Sequence, residues 1–166
     1  TFLKENTGAW HLLKNKDELH VRKLRNQRNK LYSSLLKTKH IFMDGISSVL
    51  QKLHGKYKMG IVTSSRKEHF DIIHERNDIL NYFDFIITSE DFTHSKPNPE
   101  PYLIGIEKSG HEAEECIAIE DSERGVMAAK RANLFCIAIP NEMTKNSNFK
   151  NADIIMNDIK EIPSIL

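Results

Sequence analysis

Long apolar runs are missing from this chain. None approaches the ~20 residues that a membrane-crossing helix requires, which excludes a helical membrane span. No charged-then-apolar leader opens the sequence. Only two cysteines occur, Cys116 and Cys136, both within runs that read as buried strands. Two such thiols make no disulfide framework, so a soluble protein in a reducing, cytoplasmic setting is the expectation. Internal repeats and low-complexity tracts are absent as well. Without a series of stacking aromatics or a known nucleic-acid motif, a nucleic-acid partner is not expected.

What is present suits an ordinary globular chain: 166 residues, 39% of them hydrophobic, with a formal net charge of +1. The charge is unevenly spread. Residues 1–40 carry ten Lys/Arg against three Asp/Glu, whereas residues 41–166 carry fourteen against twenty. The basic segment includes VRKLRNQRNKLY, Val21 to Tyr32. Arg22, Arg25 and Arg28, with His11 further upstream, could meet an anion; equally, they form the solvated face of a helix whose apolar face is Leu24, Leu31 and Leu35.

Two regimes follow one another. Up to about Lys39 the pattern is helical, with Asn15 or Asp17 as caps before a helix over Leu19–Leu36. From Asp44 onward helices alternate with short apolar strands. Ile46, Val49, Leu50 and Leu53 have amphipathic helical spacing. Strands are expected at Tyr57–Val62, Phe85–Thr88, Cys116–Ile119, Phe135–Ile139 and Asp153–Met156. Between them fall helices at about 67–76, 99–109 and 122–131. This alternation implies an α/β fold, a parallel Rossmann-like sheet with helices on both faces. Ligands of such sheets bind beyond the carboxyl ends of the strands, which gives the strand ends their interest.

Three stretches lie at those ends. Thr63-Ser64-Ser65 places hydroxyls and backbone N–H groups at a strand-to-helix turn, a setting for an anion as well as for an ordinary helix cap. In HSKPNPEPY, Lys96 precedes two closely spaced prolines that stiffen the backbone, so its ammonium is either a fixed positive charge or a plain surface lysine. Glu120-Asp121 ends an apolar run with two adjacent carboxylates. Hard oxygen donors of this kind suit Mg²⁺ shared with a phosphate, or else form a solvated pair.

Together and in this order, IVTSS, SKPNPEPY and IEDSERGV resemble motifs two, three and four of the haloacid dehalogenase superfamily, in its phosphoglycolate phosphatase and β-phosphoglucomutase branch. The resemblance covers roughly Phe42 to Leu166 and implies a Mg²⁺-dependent phosphatase, or a phosphomutase, acting on a small phosphorylated metabolite. By that resemblance Thr63 would hydrogen-bond the transferring phosphoryl group and Ser64 would add phosphate contacts. Lys96 would balance charge between nucleophile and phosphoryl oxygens, Glu120 and Asp121 would hold Mg²⁺, and Gly125 would allow close helix–sheet packing. Residues 1–40 look like the later part of a helical cap, with residues 41–166 forming a core that lacks its first strand.

One family feature has no counterpart. The nucleophile is the first aspartate of an Asp-x-Asp motif on an N-terminal strand, and no Asp-x-Asp occurs in this sequence. HIFMDGI, His40 to Ile46, is a tempting substitute, but too few residues separate it from the Thr63 strand to hold a cap. Asp44 reads better as a helix cap. The expectation is a truncated chain, unable to turn over a phosphate ester by itself; the alternative is a nucleophile-less binding or regulatory module. Asn133 stands where the family commonly has glycine, and asparagine suits a left-handed helix end.

Overall fold

The structure is a computed structural model that describes residues 17–38 and 45–166. The chain divides into two compact units, Thr1–Ile41 and Phe42–Leu166.

In the first unit the described element is helix α1 (Glu18–Thr38). Asp17 caps it, its Oδ1 accepting the His20 N–H at 2.8 Å. The other suggested cap, Asn15, and His11 lie outside the described residues. Leu24, Leu31 and Leu35, read from the sequence as the apolar face, are exposed, and Leu36 is the buried leucine. Helical spacing tells which side chains share a stripe, not whether anything covers that stripe.

The second unit begins its described part with α2 (Ile46–Leu53), entered through Gly45 at φ 83°, a conformation open to glycine. Asp44, expected to cap this helix, lies outside the described residues. There follow β1 (Gly60–Val62), α3 (Lys67–His74), β2 (Phe85–Ile87), α4 (Glu100–Ser109), β3 (Ile117–Glu120), α5 (Glu123–Arg131), β4 (Phe135–Ala138) and β5 (Ile154–Ile155). Every strand pair among the described residues is parallel, as the alternation implied.

The strands form two hydrogen-bonded groups, β1-β2 and β3-β4-β5. The Thr63 N–H donates to Ile87 O at 2.9 Å and the Asp84 N–H to Met59 O at 2.8 Å, so alternate residues of this strand face β2. Gly60 and Val62 therefore turn their backbone groups to the opposite edge. Likewise the Ile139 N–H donates to Glu120 O at 2.7 Å, which leaves Ile117 and Ile119 facing away from β4. Both side chains are also exposed, at 45% and 41%, on a strand that stands at the edge of its group.

Layers pack on both faces of β4, whose side chains alternate between two apolar clusters. Cys136 and Ala138 join Tyr102, Val126, Ala129 and Phe149 under α4 and α5. Ile137 and Ile139 join Val49, Leu53, Met156 and Ile162 under α2 and the C-terminal turn. Burial, then the charge of Glu120, pushes the Cys136 thiol up to about 12, so it serves as a small core residue. Both cysteines are free.

Asp153 ties α5 to the sheet. Its Oδ2 accepts from Lys130 Nζ at 2.6 Å and from the Cys136 N–H at 2.7 Å. These bonds, the Lys130 one foremost, hold its carboxyl below the ordinary value of 3.8. Asp153→Ala should lower the melting temperature by about 3–6 °C, the scale of a lost charged hydrogen-bond acceptor in a chain this size. Because the folded pKa is depressed, this contribution is complete above 3.8 and fades as pH falls through the lower folded value. Thermal unfolding followed against pH should show the two proteins converging only in that acid range.

Candidate active site

Thr63 follows β1 directly, and Glu120 is the last residue of β3. Both therefore sit at carboxyl ends of parallel strands. Lys96 comes from the loop between β2 and α4. Its ammonium donates to Val62 O at 2.9 Å, at the peptide that joins Val62 to Thr63, and to Glu120 Oε1 at 2.5 Å. A third contact, 3.4 Å, reaches the Tyr102 hydroxyl, and the ammonium lies 4.6 Å from the centroid of the Tyr102 ring. Three stretches far apart in sequence thus meet at one ammonium.

Glu120 is buried, and its carboxylate is fully engaged. The Tyr102 hydroxyl donates to Oε1 at 2.5 Å, and the Ser122 hydroxyl to Oε2 at 3.3 Å. Burial, then the charge of Glu120, holds the Tyr102 phenol well above its ordinary range, so it stays protonated and remains a donor. Ser122 also caps α5, its Oγ accepting the Gly125 N–H at 3.1 Å. The helix starts so close behind the strand that any side chain at Gly125 would overlap the Glu120 carboxylate. Glycine at that position makes the room for Glu120.

Asp121 behaves differently. It is exposed, and its Oδ2 accepts from Asn141 Nδ2 at 2.8 Å. Glu120 closes β3 on its buried face and Asp121 lies in the bend beyond it, so the two acids face different surroundings. Asp121 offers an accessible hard oxygen suited to Mg²⁺, whereas the oxygens of Glu120 are committed to Lys96, Tyr102 and Ser122. No group of three or more His, Cys, Asp or Glu gathers around a metal position among the described residues. Mg²⁺ commonly takes one or two carboxylates and completes its shell with water and substrate phosphate. By that standard the donor set fits Mg²⁺ in part, through Asp121.

The hydroxyl turn is partly as expected. The Thr63 Oγ1 accepts the Ser65 N–H at 3.1 Å, which leaves its own proton to donate elsewhere, and Ser64 is exposed. The helix does not start there, however. α3 begins at Lys67, and its first N–H is taken by Glu90 Oε2 at 2.9 Å. What this turn itself presents is therefore the hydroxyls of Thr63 and Ser64 rather than a helix end.

Tyr102 and Asn141 escaped the sequence reading. Tyr102 stands inside the quoted SKPNPEPY stretch, but helical spacing alone reads it as an ordinary core residue. Asn141 lies in a polar loop with no signal that it reaches Asp121.

The family model described as haloacid dehalogenase-like hydrolase matches residues 5–139. The chain is 28% identical over 123 residues to validoxylamine A 7'-phosphate phosphatase of Streptomyces hygroscopicus subsp. limoneus, covering 74% of this chain and 57% of that protein. It is 29% identical over 125 residues to pyrophosphatase PpaX of Oceanobacillus iheyensis, covering 73% and 58%. Among solved structures, a HAD phosphatase from Thermococcus onnurineus superposes with a TM-score of 0.74 at 26% identity, covering 98% of this chain and 74% of that one. The chain thus spans little more than half the length of the first two relatives.

Proposed function

The chain belongs to the haloacid dehalogenase-like hydrolases, and from that premise we propose that residues 42–166 supply the phosphate- and metal-binding side of a Mg²⁺-dependent phosphatase. Its substrate class is a small phosphorylated metabolite, and its nucleophile is an aspartate from a strand outside these residues. Residues 1–40 belong to its helical cap. The observation that carries this reading is the Lys96 ammonium, within 2.9 Å of Val62 O and 2.5 Å of Glu120 at the ends of β1 and β3. The open edges of those two strands suggest where the nucleophile-bearing strand pairs.

The roles follow from charge. Phosphoryl transfer asks for positioning and for neutralisation of negative charge spread over the phosphoryl oxygens. Lys96 brings a fixed positive charge, held in place by Glu120. To touch a phosphoryl oxygen it must release one of its three donors, and the 3.4 Å contact to Tyr102 is the longest of them. The Thr63 hydroxyl donates to a phosphoryl oxygen, with the exposed Ser64 beside it. Asp121, oriented by Asn141, would hold Mg²⁺, which when bound screens the charge of phosphate and nucleophile together.

The sequence has no Asp-x-Asp, and this favours a second reading, a module that binds phosphate without hydrolysing it. One experiment separates the two. Fused behind the N-terminal part of a related phosphatase that carries an Asp-x-Asp strand, the chain should release phosphate from p-nitrophenyl phosphate in the presence of Mg²⁺. Exchange of the first aspartate of that strand for asparagine should return the rate to background. The 166-residue chain alone should show no turnover. Phosphate binding without turnover in the folded fusion would favour the binding module. Absence of both would overturn the two readings together.

A further inference from the structure

The loop that carries Lys96 is short of hydrogen-bond donors. Pro97 and Pro99 have no N–H, and the Asn98 N–H is spent on Ser95 O at 3.1 Å. Two carbonyls of this loop are met instead from α5. Arg124 donates through Nη2 to the Lys96 carbonyl. Arg131 donates through Nη1 to the Pro97 carbonyl at 2.7 Å. Residues seven apart lie two turns along one face of a helix, so both guanidinium groups leave α5 on the side of this loop. The same helix starts immediately behind Glu120-Asp121 and is capped there by Ser122.

One helix therefore fixes both halves of the charge arrangement. Its first turn sets the position of the Glu120 carboxylate, and its two arginines grip the main chain of the residue whose ammonium pairs with that carboxylate. We infer that Arg124 and Arg131 are positioning residues: they hold the Lys96 main chain so that its ammonium stays between Val62 O and Glu120. A guanidinium suits this task because it keeps its charge at every relevant pH and presents several donors in a fixed plane. The catalytic consequence rests on the proposed phosphatase reading, but the positioning itself does not.

The test reads Lys96 directly. The 166-residue chain is treated with an acetylating reagent, and each lysine is followed by peptide mass spectrometry. Lys67, with a side chain 65% exposed, serves as the internal reference for Lys96, which is 12% exposed. In the wild type Lys96 should react far more slowly than Lys67. In Arg124→Met/Arg131→Met, which keeps the apolar stems and removes the donors, Lys96 should react about tenfold faster, the population change that one charge-assisted hydrogen bond controls. Lys67 should be unaffected. Arg124→Lys/Arg131→Lys retains a donor at each position and should restore most of the protection, which a purely steric role would not require.

Unchanged Lys96 labelling in the folded methionine variant overturns the inference, as does labelling that rises equally in the lysine variant. Should the double variant unfold at the assay temperature, Arg131→Met against Arg131→Lys gives the same comparison. Calorimetry with inorganic phosphate and Mg²⁺ on the Asp-x-Asp fusion reports separately on the proposed function. Protection of Lys96 beside a folded Asp-x-Asp fusion that neither binds nor releases phosphate would remove the phosphatase reading and leave the positioning role standing.

Discussion

Lys96→Met should lower the melting temperature by roughly 6–20 °C, because breaking a buried ion pair typically costs about 3–5 kcal/mol in a chain of this size. The side chains of Lys96 and Glu120 are only 12% and 6% exposed, so water cannot take over the lost partner. Removal of the ammonium leaves a buried carboxylate with only the hydroxyls of Tyr102 and Ser122 to stabilise its charge. The expected cost is therefore a cost of orphaned charge. That makes a second result predictable: Glu120→Gln introduced together with Lys96→Met should recover most of the loss, since the neutral amide still accepts from Tyr102. Scanning calorimetry on the two variants decides it. A single variant as stable as the wild type, or a double variant no better than the single, would contradict the buried pair.

Gly125→Ala should destabilise by about 1–3 kcal/mol, the usual range for a methyl forced into filled space. The overlap is specific. The new Cβ meets the Glu120 carboxylate itself, so either that side chain leaves Lys96 and Tyr102 or α5 lifts from β3. If the carboxylate is the obstacle, Glu120→Ala vacates the space and the same methyl becomes nearly free of cost. The two substitutions should therefore be strongly non-additive, with a coupling of about 0.5–3 kcal/mol in a double-mutant cycle. Additive effects in urea unfolding would show that Gly125 serves some other need. In an active fusion, Gly125→Ala should also lower turnover, since the Lys96 ammonium loses the carboxylate that anchors it.

The alternation of elements was legible because each strand is a short apolar run bounded by polar turns, and parallel pairing follows from strands joined through helices. The left-handed end of α5 was legible too: Asn133 adopts φ 61° and the Leu134 N–H closes onto Ala129 O at 3.0 Å. The buried face of the third strand was not. The sequence reading ended the third strand at Ile119 and placed Glu120 in the turn, whereas β3 runs through Glu120. With a side-chain period of two, Glu120 shares the buried face of Ala118, while Asp121 lies beyond the strand end and is exposed. The reading of two acids standing together thus gives way to one acid in an ion pair and one exposed to solvent.

The hydroxyl turn shows the same limit. Thr63 and Ser64 were found by their place after an apolar run. The start of α3 was read at about 67, where it lies, but the carboxylate of Glu90 that meets its first N–H from a remote loop was not foreseen. Long-range caps of this kind leave no local trace.

Residue types and their order along the chain determined the layered α/β class, the parallel sense of the strands and the three stretches that could carry phosphate chemistry. These are local matters, governed by side-chain periodicity, backbone propensity and the spacing of polar turns. Only the tertiary structure decided that Lys96 belongs to Glu120, that Tyr102 shares this carboxylate, and that Asp121 is left facing solvent. Each of those outcomes depends on which face of a strand is turned inward and on which distant loop lies against it. Neither is settled until the layers pack.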